Sequence, residues 1–408
     1  MSEEELGFDP TFSESSGKRY IEIQRNGHRE RLIIDEVIMR ARCIVGRATT
    51  CWKAHYEDDP STPLVIKDSW QDERRVEEGE LLRETTNKGV IKVVRYYHHE
   101  IVHVGGAVDD VLRNVRKGLD VSKAMNYRTG RSTLTPSTTA ISASRKGRSS
   151  SAGVKRPSSE TGAALPPSKR SCSASPKASI DALPNRVHHR VILRDYGKPI
   201  YKASSPVALL AALEGCIEGH ESLHEAGFLH RDISINNLMM NEDDENDSLD
   251  SFLIDLNLAI RETREEVSGS RGKTGTRAFM AIGALLDEQH SFMHDLESFF
   301  WVLFWICIHY GGPDHRGRTV PNFKEWNYVQ PSELAKLKKG EISDEGDFIK
   351  TAEESFTLCY QPLIPWVNRL RKVVFPNGRR WEKENPELYM RMKEVLREAQ
   401  QDPKLANL

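Results

Sequence analysis

The sequence predicts an α+β protein: a small β-rich amino-terminal region, a larger and mainly helical carboxy-terminal region, and a disordered insert within the first. Three observations carry this reading. Short β-branched apolar runs broken by turn residues occupy the chain up to about residue 117, a compositional break over 118–185 interrupts them, and apolar residues recur at helical spacing after Ser205. With 408 residues, 38% hydrophobic and 29% charged, there is material for about two to three domain-sized units.

In chain order, residues 1–20 open with the acidic MSEEELGFDP and read as a flexible terminus. Over 21–117, LIIDEVIMRARCIVGR and TPLVIKDSW have the pattern of antiparallel strands, with Asp58-Asp59-Pro60-Ser61 as a turn. Arg74 to Thr85, with Val76, Leu81 and Leu82 among many charges, predicts a mostly solvated amphipathic helix. Over 118–185 the chain turns to Ser, Thr, Ala, Pro, Lys and Arg with almost no aromatic residue, too little apolar surface to offset ordering entropy. That segment carries 11 Lys and Arg against 3 Asp and Glu, so a basic insert interrupts an acidic remainder. RVHHRVILRDYG, within 186–197, reads as a strand and turn with His188 and His189 on a polar face beside Arg186 and Arg190. In the helical region, 198–400, Ser205 and Pro206 supply N-cap and first-turn chemistry, and Gly227 a stop. Two short apolar runs follow, FLHRDISINNLMM and SFLIDLNLAI; the acidic NEDDENDSLD between them lacks the central glycine of a calcium loop and reads as a solvated turn. Phe299 to Ile308 reads as a core helix.

Several function classes are disfavoured. The formal charge of −2 provides no global attraction to nucleic acid or to an anionic membrane. The longest apolar run, Phe299 to Ile308, is too short to span a bilayer, and the amino terminus has no signal core. Six scattered cysteines (Cys43, Cys51, Cys172, Cys216, Cys307 and Cys359) form no C-x-x-C pair, as expected for a reduced protein of the cytoplasm, the nucleus or both.

The chemistry concentrates in His230-Arg231-Asp232-Ile233-Ser234-Ile235-Asn236-Asn237, which places a carboxylate and an amide five residues apart in one loop. Phosphoryl transfer needs such a pair, one group to take and orient the acceptor hydroxyl and one oxygen to help fix the metal on the phosphates. Asp232 suits the first role and Asn237 the second. Asp255, ending the run Leu253-Ile254, is placed to take a hard Mg²⁺ ion through oxygen. These residues resemble the protein-kinase elements H-R-D-x-x-x-x-N and D-F-G, and the likeness continues in order. Val65-Ile66-Lys67 resembles the strand whose lysine holds the phosphates of ATP, and Glu78 the helix glutamate that pairs with it. Gly275 to Ala281 resembles the end of an activation segment, and Asp295 the aspartate that anchors the catalytic loop.

The phrases VIKDSW, LHRDIS, GTRAFMA and HDLESFFWVLFW are similar to the fungal-type protein kinase family, along a pattern from about Ile33 to Trp381. The resemblance implies a two-lobed protein kinase-like fold using ATP and Mg²⁺, with the insert between two strands of the small lobe. It implies Gly46, Lys67 and Glu78 on the nucleotide side, Asn237 and Asp255 on the metal, and Asp232 on the acceptor. Thr276 would line a pocket for Ser or Thr hydroxyls of a protein substrate, and Arg231 would pair with a segment phosphorylated by an upstream kinase at Ser268, Ser270 or Thr274. Lys155-Arg156 and Lys169-Arg170 in the insert resemble a bipartite signal for a nuclear-import receptor.

Departures from the family pattern are specific. Gly46-Arg47-Ala48-Thr49-Thr50-Cys51 keeps only the first glycine of G-x-G-x-x-G; Ser234 stands where a lysine is usual; Asn257 replaces the glycine of D-F-G; and Ala281-Ile282-Gly283 lacks the glutamate of A-P-E. They leave open a pseudokinase scaffold and a small-molecule kinase. A third alternative is a zinc metalloprotease, since His99-Glu100-Ile101-Val102-His103 fits H-E-x-x-H; it requires a helix, against β-branched Ile101 and Val102.

Overall fold

The computed structural model describes residues 9–41, 46–117, 119, 185–262, 275–312 and 317–405. The insert, with both basic pairs, and Ser268, Ser270 and Thr274 lie outside the described residues.

The first part is a seven-stranded antiparallel sheet. Strands β1 (Phe12–Ser15), β2 (Lys18–Arg25), β3 (His28–Arg40), β4 (Thr50–Tyr56) and β5 (Asp59–Asp72) follow one another, helix α1 (Glu78–Asn87) leaves the sheet, and β6 (Tyr96–Ile101) returns to it. A small ribbon, β7 (His103–Val104) and β8 (Ala107–Val108), precedes the long interruption, after which β9 (Arg186–Leu193) inserts between β5 and β6. Period-two alternation along β5 decides what faces what: Leu64 and Ile66 pack with Ile21, Leu32 and Ile192, whereas Val65 and Lys67 belong to the opposite face.

Residues 12–20, expected to be flexible, are strands: Phe12↔Ile21 to Ser15↔Lys18 form a hairpin whose Phe12 packs against Trp52 at 4.9 Å. A buried ion network ties this edge down. Arg190, fully buried, donates to Asp68 at 2.9 Å through both Nε and Nη2, to Asp9 at 2.9 Å and to the Thr11 hydroxyl at 2.9 Å. His188 lies 3.0 Å from Asp109 and stacks on Trp70. The face of β9 that reads as polar is therefore internal, its charges paired with carboxylates from four other segments. Helix α1 begins four residues later than the charge pattern suggests, because Asp72 closes a turn over Arg74 and Arg75 before the helix starts. Its face is not solvated at the start either, since Glu78 is buried.

The second part opens with β10 (Lys198–Pro199) and α2 (Pro206–Glu225), capped by Ser205 Oγ accepting from Ala208 N at 3.1 Å and ended before Gly227. Short strands β11 (Phe228–Leu229), β12 (Leu238–Met240), β13 (Ser251–Leu253) and β14 (Ile260–Arg261) frame two loops. β12 pairs with β13 across the acidic turn, and β11 with β14. Helices α3 (Ile282–Leu285), α4 (Phe292–His309), α5 (Pro321–Lys324), α6 (Pro331–Ser343), α7 (Glu345–Ser355), α8 (Ile364–Val374) and α9 (Glu387–Gln400) complete it. Helix α4 is apolar almost all round and is the centre of the core, with Phe299, Phe300, Trp301, Val302, Leu303 and Phe304 all buried. No helix among the described residues is long and apolar enough to cross a membrane.

Candidate active site

Two groups of side chains meet between the sheet and the helices. The first is built on β5, α1 and the β13–β14 connection. Lys67 Nζ donates to Glu78 Oε1 at 2.7 Å and to Asp255 Oδ1 at 3.0 Å. Asn257 Nδ2 closes the ring, donating to Glu78 Oε2 at 2.8 Å and to Asp255 Oδ1 at 2.7 Å. Arg47, one residue beyond Gly46 on the β3–β4 connection, reaches Asp255 at 3.2 Å. Burial alone would raise the Asp255 carboxyl; Lys67 and Arg47 outweigh it and hold that carboxyl well below the usual range. Burial likewise opposes the charge on Lys67, and Asp255 and Glu78 overcome it, so the lysine keeps its proton. Burial pushes Glu78 upward against the pull of Lys67; with the lysine proton held by two carboxylates, Lys67 and Glu78 form an ion pair. Asp255 itself adopts a left-handed backbone (φ 66°, ψ 69°), a strained conformation for a residue with a β-carbon.

The second group is the loop His230–Asn237, suspended from α4. Asp295, buried in the first turn of α4, accepts from the backbone N–H of His230 at 3.0 Å and of Arg231 at 3.1 Å, and His220 and His290 lie within 2.9 Å of its oxygens. Burial opposes its charge, but the two histidines hold it well below the ordinary carboxylate range. Asp232 Oδ1 accepts from Thr276 N at 2.9 Å and Thr276 Oγ at 3.1 Å, and Asn237 Nδ2 donates to the Asp232 carbonyl at 2.9 Å. With Nδ2 so committed, Oδ1 is the atom Asn237 retains for a hard cation. Gly275 (φ +107°) permits this approach, since a β-carbon there would lie 3.0 Å from the Arg231 carbonyl.

His230 couples the groups. Its Nδ1 accepts from Asp232 N at 3.3 Å and its Nε2 donates to the Ile254 carbonyl at 3.1 Å, an arrangement for the neutral ring, and burial lowers its pKa accordingly. Asp232 is pushed upward by burial and by the charge of Asp255.

Two residues that the motif reading does not mark hold the segment after Thr276. Glu297 of α4 accepts from Ile282 N at 2.7 Å and Trp301 Nε1 at 2.9 Å, and Lys338 of α6 donates to the Met280 carbonyl at 2.7 Å beneath the Trp301 ring. Glu297 thus anchors the segment from the helix side where Ala281-Ile282-Gly283 lacks a glutamate of its own. A second carboxylate, two residues after Asp295 and running into the apolar FFWVLFW, is a sequence signal for it; Lys338 has none among its neighbouring lysines. Asn257, in the place of the D-F-G glycine, bridges two carboxylates.

The zinc-protease alternative fails on geometry. His99 and Glu100 belong to β6 and His103 to β7, so no helix brings the histidines together. His99 Nε2 faces Glu80 of α1 at 3.1 Å, whereas His103 turns to the Ile101 carbonyl at 2.8 Å.

The sequence profile of fungal protein kinases matches residues 1–307. The chain is also similar to the serine/threonine-protein kinase polo of Drosophila melanogaster, 32% identical over 126 residues. That stretch is 29% of the chain and spans 20% of the polo protein.

Proposed function

From the premise that the chain belongs to the fungal protein kinase family, we propose that it has the two-lobed kinase fold and transfers the γ-phosphate of ATP to Ser or Thr hydroxyls of proteins. The observation that carries this reading is the closed ring Lys67–Glu78–Asn257–Asp255 standing beside Asp232 in its Thr276 cradle. The donor set fits the implied cofactors: one carboxylate and one amide oxygen suit Mg²⁺, and a lysine fixed by Glu78 suits phosphate oxygens. When bound, Mg-ATP supplies the transferable phosphoryl group and the metal charge that stabilises it. Lys67, kept cationic, binds the nucleotide phosphates. Asp255 and Asn237 offer metal ligands, and Asp232 orients the acceptor hydroxyl and takes its proton; burial has raised its basicity for that task. Thr276, on the same carboxylate, supports Ser or Thr as acceptor. We extend the proposal to control by an upstream kinase at Ser268, Ser270 or Thr274, read through Arg231, and to nuclear import through the basic insert.

The test is Mg²⁺-dependent transfer of labelled γ-phosphate to the protein itself and to a generic basic substrate, wild type against Asp232→Asn. Label in wild type, falling by about 10² or more in the variant, is the expected result. No label in either, while ATP still binds, would replace this reading by the pseudokinase scaffold.

A further inference from the structure

Arg47 is held in a way that its family pattern does not explain. Its carbonyl accepts from Trp70 N at 2.8 Å, beyond the last β4–β5 pair Thr50↔Asp68, so the main chain there is tied to β5. Left-handed residues bracket it, Gly46 at φ +119° and Ala48 at φ +43°. Ala48 has a β-carbon, and a turn kept in that conformation without glycine is one that the surroundings over-determine. Its product is a guanidinium directed at the metal-ligand candidate, 3.2 and 3.3 Å from the two Asp255 oxygens. The charges of Asp255, Glu78 and Asp232 all favour its protonated form. Unlike Lys67, whose side chain is 8% exposed, that of Arg47 is 39% exposed and stands at the mouth of the site.

Two of the sequence departures are deficits of phosphate binding in the same place. The loop has lost the later glycines that would let backbone N–H groups approach phosphate, and Ser234, itself buried, cannot supply the cation usual at its position. We propose that Arg47 makes good both deficits: its guanidinium leaves Asp255 when a nucleoside triphosphate enters and binds the terminal phosphate. A planar fork of N–H donors suits a phosphate at least as well as a carboxylate, and the rigid main chain with a solvent-facing side chain permits the exchange. Arg47 is thus a phosphate ligand from the sheet side of the site, specific for the end of the triphosphate that Lys67 does not hold. This rests on the phosphotransfer reading above.

The experiment is equilibrium binding of ATP, ADP and adenosine, with Mg²⁺, to the full chain as wild type, Arg47→Ala and Arg47→Lys. The readout is the ratio of ATP to adenosine affinity. Loss of one charge-assisted contact predicts that Arg47→Ala lowers this ratio by about tenfold or more, with a smaller loss for ADP, no change for adenosine, and partial recovery in Arg47→Lys. Unchanged or tighter ATP binding by Arg47→Ala would overturn the proposal, the latter marking the residue as a plug rather than a ligand. An equal loss for all three ligands would also overturn it, as a disturbance of the whole site. Wild type binding none of the three would remove the phosphotransfer reading and Arg47's role with it, an outcome distinct from wild type that binds ATP alongside an indifferent Arg47→Ala.

Discussion

The two parts of the molecule solve burial in opposite ways. Around α4 the helical part buries rings on rings, Phe300 and Trp301 against Phe375 and Trp326, with Lys338 and Glu297 set singly against Trp301. The sheet part, with a smaller apolar cluster, buries a guanidinium, an imidazole and the carboxylates of Asp68 and Asp109 on and beside its inner strands β5 and β9. Aromatic packing dominates the first and a connected ion network the second, and the candidate site draws on both: Lys67 and Glu78 come from the sheet side, while the loop of Asp232 hangs from Asp295 on α4. The comparison predicts which region responds to lost volume and which to lost charge. The largest effect is expected from Trp301→Ala, at the upper end of about 3–5 kcal/mol in chemical unfolding, because a cavity is opened and the Glu297 carboxylate loses a donor.

Arg190→Ala should cost somewhat less, about 3 kcal/mol, since it leaves Asp68 buried without its bidentate partner while Asp9 is able to turn to water. The sharper version is the double variant Arg190→Met with Asp68→Leu. Removing both charges should recover part of the loss, whereas no second substitution should rescue Trp301→Ala so simply. A double variant no better than Arg190→Ala would erase the distinction between the two regions.

The same network predicts how the sheet edge responds to pH. Burial works against the charged ring of His188, but Asp109 and Asp68 overcome it and raise its pKa from 6.5 to about 9. Below pH 6.5 the folded and unfolded chains both hold that proton and its stabilisation is complete. As pH rises through 9 the folded chain loses the proton too, and the contribution, on the order of 2–3 kcal/mol, disappears. His189, lowered to about 4 by burial and by the nearby His188, titrates outside this window. Thermal unfolding between pH 6.5 and 9 should therefore slope downward in wild type and flatten in His188→Gln; equal slopes would show that the ring is neutral in the folded protein.

These differences also mark what the sequence could disclose. The grouping of Asp232, Asn237 and Asp255 is legible because loops bounded by short apolar strands fix their spacing locally, and the Ser205-Pro206 cap is legible because capping is contained in the four residues Ser205 to Ala208. Arg190 and His188 are not legible, since their burial depends on Asp9 and Asp109, at separations of 181 and 79 residues. The hairpin of Phe12–Ser15 depends likewise on a tertiary partner, Trp52, that no local pattern announces. The start of α1 was hidden by an Asx turn that consumes the charged residues resembling a first helical turn.

Asn257 is the smallest of these effects on stability and the most direct test of the joint between the two regions. Its amide is the one neutral group in the ring, and both its protons are used, one on Glu78 of α1 and one on Asp255 of the β13–β14 connection. Asn257→Gly restores the residue of the family pattern and removes both bonds at once. Lys67 continues to neutralise the two carboxylates, so the stability cost should be only about 1–2 kcal/mol. Phosphotransfer should fall more than that figure suggests in kcat with little change in the KM for ATP, because the proposed phosphate ligands Lys67 and Arg47 are left in place while α1 loses one of its ties to Asp255. Asn257→Asp is the complementary variant: a third carboxylate in place of the bridge should cost more than glycine does, and its effect should lessen as salt is added. If glycine proved fully neutral for both stability and turnover, the ring would be held by its charges alone, and the sheet side of the site would need no neutral bridge to the loop it faces.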